Sequence, residues 1–198
     1  MFYTVCNKGT GFGCDACEPE LICYDSDVDR ATCCNDFLYV IQFTKDMIGA
    51  FGSFVAERSF SIVPFATNAE LANDLSTMTE ALNSLDALTY TGGMTNHAAA
   101  IDLCRSSLES SPEDRKKFLL LITDGSPSVP EGSPEAEAEA AAEEAKSEGI
   151  FIIPVMIKQE VSAYLQRISS DGTVFDASDF VDLASLQETL LAQVECQA

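Results

Sequence analysis

A continuous apolar run constrains this chain more than any other feature. Residues 117–123 read Lys-Phe-Leu-Leu-Leu-Ile-Thr and are followed by Asp124 and Gly125. A strand that does not alternate between apolar and polar residues is typical of a parallel sheet, in which both faces are covered. A second such run spans residues 149–157, and a helical pattern separates the two. This order favours a crossover connection and therefore an α/β fold.

The rest of the chain alternates between the two patterns. Helices are predicted over residues 37–55, 77–88, 98–108, 133–147, 161–168 and 182–194. Strands are predicted over residues 20–24, 59–66, 71–75, 117–123, 149–157 and 173–175. Asn35 or Asp36 is the expected cap of the first helix. We predict an α/β domain with a mostly parallel central sheet, one antiparallel edge strand and helices on both faces.

The cysteines are concentrated at the start of the chain. There are eight, and six of them lie in the first 34 residues. An even number in such a cluster favours disulfides and an oxidising compartment, so we expect a secreted, extracellular or cell-surface protein. We place a Cys-rich N-terminal segment at 1–19 and the main domain at 20–198.

A zinc site is the alternative use of these cysteines. Cys14 and Cys17 have a ligand-like spacing, and Cys33 and Cys34 could complete the set. Adjacent cysteines are a poor zinc-binding pair, and the one histidine of the chain is distant, at position 97. Disulfides are therefore the favoured interpretation.

The net charge of −21, from 11 basic and 32 acidic residues, limits the partners. Such a surface repels nucleic acid and anionic membranes. No apolar run approaches the roughly 18 residues that a membrane span requires, so membrane insertion is not expected. Divalent cations and basic partners suit an acidic surface, although solubility alone also explains much of the charge.

The motifs of enzymes are missing from the sequence. It contains no Gly-x-Ser-x-Gly elbow, no phosphate-binding glycine loop and only one histidine. We therefore expect a binding protein and not an enzyme, with a metal-assisted or two-carboxylate hydrolase as the alternative because carboxylates are abundant. His97 is interpreted as a loop or packing residue, with a base or a hydrogen-bond donor to a site as the alternatives, and Thr123 as a packing residue that could join a site.

Oxygen-bearing side chains follow three predicted elements. Asp25, Asp27 and Asp29 come after the first strand, Thr95 lies in a glycine loop, and Asp124 ends the strongest strand. Ligands of parallel sheets bind at the carboxyl ends of the strands, and such oxygens suit a divalent cation, Ca²⁺ or Mg²⁺. Two alternatives remain for residues 25–36: a calcium loop of the EF-hand kind, and an acidic surface loop without an ion.

Several stretches carry a family resemblance: Thr91-Gly-Gly-Met-Thr-Asn96, Phe118 to Gly125, Gly149 to Val155 and Gly172 to Phe175. From about residue 20 to residue 196 the chain resembles a von Willebrand factor A domain, also called an integrin I-type domain. The resemblance implies a metal-ion-dependent adhesion site in which Thr95 and Asp124 match the family's pattern. The family's Asp-x-Ser-x-Ser motif would fall on Asp25, with Asp27 and Asp29 in place of the two serines.

The resemblance also implies a function. It predicts an extracellular adhesion or ligand-binding module that binds a protein or matrix partner through a divalent cation. In the family, the ion keeps positive charge that attracts an acidic side chain of the partner, and two additional carboxylates would weaken this attraction. The alternative function is a structural matrix or scaffold domain with an acidic surface that binds calcium or mineral without a discrete adhesion site.

A disulfide between Cys6 and Cys196 is the pairing that the resemblance favours, because the termini of this fold emerge close together and the family often links them. Closing nearly the whole chain should stabilise the fold by about 4–5 kcal/mol, less any strain. Peptide mapping without reduction tests this expectation, and finding either cysteine as a free thiol would contradict it.

Overall fold

The computed structural model describes residues 30–54, 58–90, 92–111, 115–158 and 163–197. The helices in this part are α1 Arg30–Phe54, α2 Met78–Asp86, α3 His97–Leu108, α4 Pro134–Ser147, α5 Ala163–Ile168, a 3-10 helix Phe180–Leu186 and α6 Gln187–Gln197. The strands are β1 Phe60–Ile62, β2 Asn73–Ser76, β3 Lys117–Thr123, β4 Ile150–Ile157 and β5 Phe175–Ala177. The predicted Cys-rich segment 1–19 and first strand 20–24 lie outside the described residues.

Parallel pairing organises the strands. β3, β4 and β5 form a sheet in that order, with both pairs parallel. Along β3, Lys117 lies opposite Ile150 and Thr123 lies opposite Met156. β1 and β2 form a separate antiparallel pair. The α/β class and the mostly parallel sheet predicted from the sequence are confirmed.

Helices cover both faces of the parallel sheet. Alternate residues of each strand point to opposite sides, so a strand of apolar residues presents an apolar surface on each face. Phe118, Leu120 and Ile122 of β3 join one buried cluster with side chains of α1, α2 and α6. Leu119 and Leu121 join the other, with side chains of α3, α4 and α5. Burial on both faces explains why β3 is a continuous apolar run. None of the helices within the described ranges is long and apolar enough to cross a membrane.

The first helix starts earlier than predicted. α1 begins at Arg30, so Asn35 and Asp36 lie within the helix and do not cap it. Asp36 accepts a hydrogen bond from Lys158 at 3.0 Å instead. The EF-hand interpretation of residues 25–36 is also wrong, because its sixth position, which requires the sharpest turn of the loop, is Arg30 in a helix.

Cys104 is a buried free thiol on α3, and its Sγ donates to the Ala100 carbonyl. It packs among apolar side chains as a small hydrophobic residue. The even number of cysteines in the sequence therefore does not correspond to complete pairing. The expected bond between Cys6 and Cys196 involves side chains outside the described residues and stays a prediction.

Lys158 joins three elements at the end of β4. Its ammonium lies 3.0 Å from Asp36 of α1 and 3.1 Å from Asp179, and 4.7 Å from the ring centroid of Phe180. The residue has a φ of 61°, a left-handed conformation that is uncommon outside glycine. These contacts fix α1 and the 3-10 helix against the carboxyl end of the sheet.

Replacing Lys158 with Met should lower the free energy of unfolding by about 1 kcal/mol, since a partly exposed ion pair contributes little more. Met is unbranched at Cβ like Lys, so the backbone strain is unchanged. The Lys158 ammonium, followed by the backbone N–H of Phe180, lowers the pKa of the Asp179 carboxyl below its ordinary 3.8. The difference between parent and variant should therefore persist at neutral pH and shrink as pH falls through that lowered value.

Denaturant unfolding at several pH values measures this difference. Lys116→Met on the surface is the matched control and should have almost no effect. An equal loss in the two variants, or a loss at Lys158 that is independent of pH, would show that the ion pairs do not carry the stabilisation.

Candidate metal site

The turn after β3 carries Asp124, whose side chain is buried although it is acidic. The residue is 8% exposed. The preceding Thr123 holds the turn: its hydroxyl donates to the Gly125 carbonyl at 3.0 Å and accepts from the Gly125 N–H at 3.4 Å. The backbone on both sides of Asp124 is therefore fixed by one side chain.

The glycine loop before α3 packs tightly against residues 66–67. Gly93 has a φ of 112°, and a Cβ at this position would lie 3.0 Å from Thr67 Oγ1 and 3.2 Å from the Ala66 Cβ. Asn96 Oδ1 caps α3 by accepting from the Ala99 N–H at 3.0 Å. The loop needs glycine both for its backbone conformation and for this close approach.

Thr95 lies in this loop and is bonded through its backbone to the segment that follows β3. Its N–H donates to Ser128 Oγ at 2.9 Å, and its carbonyl accepts from the N–H groups of Ser128 and Val129 at 2.9 and 3.1 Å. Its side chain differs: Oγ1 is buried, and no residue in the described ranges hydrogen-bonds to it. A buried hydroxyl without a partner is costly in a native fold.

His97 links the loop that carries Thr95 to the turn that carries Asp124. The side chain is fully buried. Its Nε2 lies 3.0 Å from Thr123 Oγ1, and its Nδ1 lies 3.0 Å from Tyr164 Oη of α5. Since Thr95 is two residues before His97 and Asp124 directly follows Thr123, this bond brings the two predicted ligand segments together.

The two residues fit a divalent cation. The hydroxyl of Thr95 lacks a donor or acceptor partner within the described part of the chain, and Asp124 provides a buried carboxylate. Hard cations such as Ca²⁺ and Mg²⁺ prefer such oxygen ligands. No group of three Asp, Glu, His or Cys side chains suited to a metal occurs among the described residues. Of the five predicted ligands, Thr95 and Asp124 are the two that lie in the described part of the chain.

The other three predicted ligands, Asp25, Asp27 and Asp29, lie outside the described residues. Sequence reasoning did not identify Ser128 or Tyr164, which are bonded to Thr95 and His97. It interpreted His97 as a loop or packing residue, and left a hydrogen-bond role as an alternative. No local pattern indicates these bonds, because the partners are 33 and 67 residues apart.

A comparison with models of protein families identifies the family of this chain. The model of the von Willebrand factor type A domain matches residues 34–189, well over half of the chain. The chain belongs to this family. A search of curated protein sequences finds no match.

Solved structures share the fold at low sequence identity. Proximal thread matrix protein 1 from the mussel byssus, described with a zinc-occupied MIDAS motif, has 18% identity and a TM-score of 0.74 over 96% of this chain. The chain spans 46% of that protein. The vWF domain of the pilus tip protein Mfa5 from Porphyromonas gingivalis has 11% identity and a TM-score of 0.73, with 99% of this chain and 95% of that one covered. Manganese-loaded Plasmodium vivax TRAP protein has 18% identity and a TM-score of 0.63, covering 93% of this chain and 70% of that one.

Two buried threonines provide a test of the unpartnered hydroxyl. Thr95→Val removes a hydroxyl that has no partner in the described part, so in chelator the free energy of unfolding should stay the same or rise by up to about 1 kcal/mol. Thr123→Val removes a hydroxyl with several partners and should lower it by about 1–3 kcal/mol. Denaturant unfolding compares the two; an equal loss in both variants would contradict the assignment of Thr95.

Proposed function

We propose that this domain is an extracellular adhesion or matrix-binding module that holds one divalent cation at the carboxyl end of its parallel sheet. Thr95 and Asp124 bind the ion, with Asp25, Asp27 and Asp29 as direct or water-bridged ligands. The observation that carries this proposal is the buried Thr95 hydroxyl, which lies on a loop bonded to the turn after Asp124. Loading a cation would give that hydroxyl the partner that it lacks.

The donor set determines the expected ion. Every proposed ligand is an oxygen, and four of the five are carboxylates. Extra carboxylates suit a large ion with many ligands, so the site should favour Ca²⁺ over Mg²⁺. The zinc and manganese in the structural neighbours belong to those proteins, but they support the occupation of such a site by a divalent metal.

Two features support a location outside the cell. Six cysteines lie in the first 34 residues, which is typical of an oxidising compartment. Structural neighbours include a mussel byssus matrix protein and bacterial pilus proteins. The proposed partner is a protein or matrix component, because family members of this fold bind such ligands and nothing in the sequence suggests catalysis.

A matrix scaffold that binds many cations weakly is the second candidate. The net charge of −21 and the likeness to a matrix protein favour it. The described acidic surface, however, is partly neutralised by its own arginines. Arg105 lies 2.8 Å from Glu148 and 3.6 Å from Glu144, and Arg167 lies 2.7 Å from Glu139. These carboxylates already have cationic partners, so the discrete site is the better-supported candidate.

The discrete site predicts an ion-dependent melting temperature. Ca²⁺ should raise the melting temperature of the parent chain by mass action, with a shift that grows with concentration, and Mg²⁺ should do so less. Asp124→Ala should abolish most of this shift, because it removes the central buried carboxylate. Thermal unfolding with each ion after chelator treatment measures the effect, and calorimetry gives the stoichiometry.

Asp176→Ala is the matched control, since Asp176 is an exposed carboxylate on β5 and should leave the shift unchanged. One saturable ion per chain supports the discrete site, whereas many weak ions that are insensitive to Asp124→Ala support the scaffold. If neither ion moves the melting temperature of the parent chain, the metal site does not exist.

A further inference from the structure

His97 and its two partners form a buried polar chain that the proposed ligands do not account for. The imidazole is fully buried, with the ring of Phe65 at 5.6 Å edge-on and that of Tyr164 at 5.8 Å nearly parallel. Both ring nitrogens have a hydroxyl partner at 3.0 Å. A polar group in such an environment is tolerated only when its hydrogen bonds are made. The chain Tyr164–His97–Thr123–Gly125 makes them.

Counting protons along these contacts assigns a tautomer to His97. The Thr123 hydroxyl has one proton, which it donates to the Gly125 carbonyl at 3.0 Å. With that proton so used, its oxygen accepts from His97, and this assignment places the ring proton on Nε2. Nδ1 is then an acceptor, and the Tyr164 hydroxyl donates to it. Burial raises the pKa of Tyr164, and the carboxylates of Glu135 and Glu139 raise it further, so the hydroxyl keeps the proton that it donates.

The tautomer of His97 affects the turn that holds Asp124, because Nε2 is bonded to the Thr123 hydroxyl. The Thr123 hydroxyl makes the shorter of its two bonds to Gly125 only while its proton points to the Gly125 carbonyl, and the donated Nε2–H of His97 favours that orientation. The same histidine is the first residue of α3, directly after the loop with Thr95. We propose that Tyr164 and His97 are positioning residues, which hold Asp124 and Thr95 in the arrangement that binds the cation. This inference rests on the proposed metal site and deepens it.

Tyr164→Phe tests the proposal because it removes one hydroxyl and leaves the ring. His97 then loses its hydroxyl donor, and the affinity of the full chain for Mn²⁺ should fall by up to about 10-fold, the smaller of the losses seen when a direct partner of a metal ligand is removed. Calorimetric titration with Mn²⁺ gives the affinity. Ile168→Val, on the same helix and in the same buried cluster, is the control for packing and should leave the affinity unchanged.

A double-mutant cycle separates this role from general destabilisation. Thr123→Val interrupts the chain between His97 and the turn, so adding Tyr164→Phe to it should cause no further loss of Mn²⁺ affinity. If Tyr164 acts only through packing, the two losses multiply instead. Multiplied losses, or a Tyr164→Phe variant that binds as tightly as the parent, would overturn the proposal while leaving the metal site in place.

The metal-free protein gives an independent readout. His97 is the only histidine, so the ring signals in a ¹⁵N spectrum belong to it alone. They should report a proton on Nε2 in the parent and a mixture of tautomers in Tyr164→Phe. A proton on Nδ1 in the parent would refute the assigned chain. Absence of Mn²⁺ binding by the parent would instead remove the metal site, and the positioning role with it.

Discussion

The parallel pairing of β3 with β4 is the constraint on which the rest of the structure depends. The pairing extends from Lys117 to Thr123, and both faces of β3 are covered by helices. A strand in this position can place polar side chains only where it leaves the core. The change from Ile122 to Thr123 and Asp124 marks that point, and parallel geometry brings the ends of neighbouring strands to the same edge. The candidate site therefore lies where the apolar run ends.

The elements that the sequence predicted most closely are those whose signals are local. β3 has the predicted bounds because its apolar run is continuous, and α4 has Pro134 in its first turn and Gly149 just after its end. The predicted start of α1 was wrong because a contact distant in sequence, and not a local signal, decides the role of Asp36. Asn35 and Asp36 are good capping residues, but Asp36 is used in an ion pair with Lys158, which is 122 residues away. A tertiary contact of this kind leaves no trace in local sequence.

The same distinction applies to the site. Thr95 and Asp124 were predicted as ligands from their places in a glycine loop and after the strongest strand, and both also match a motif of a known family. The structure buries both, and their binding of an ion stays a prediction. His97 and Tyr164 stand in no such motif, and an isolated histidine in a sequence is more often a packing residue. Their link becomes visible only in three dimensions, where two 3.0 Å bonds satisfy both nitrogens of a buried ring. The positions of Asp25, Asp27 and Asp29 remain predictions from sequence.

The departure from the family pattern concerns charge. The motif resemblance predicts Asp25, Asp27 and Asp29 at the places where the family has an aspartate and two serines, and Asp124 would add a fourth carboxylate. Without an ion, such a group would repel itself and raise some of its own pKa values. If all four carboxylates bind a divalent ion as proposed, their charge outweighs that of the ion, and the loaded site would attract an acidic side chain less than a site with two serines. A partner that contributes a neutral oxygen or a basic group would fit such a site better than one that contributes a carboxylate. The site would then select its partner by a rule different from that of the family it belongs to, although the same fold positions the ion.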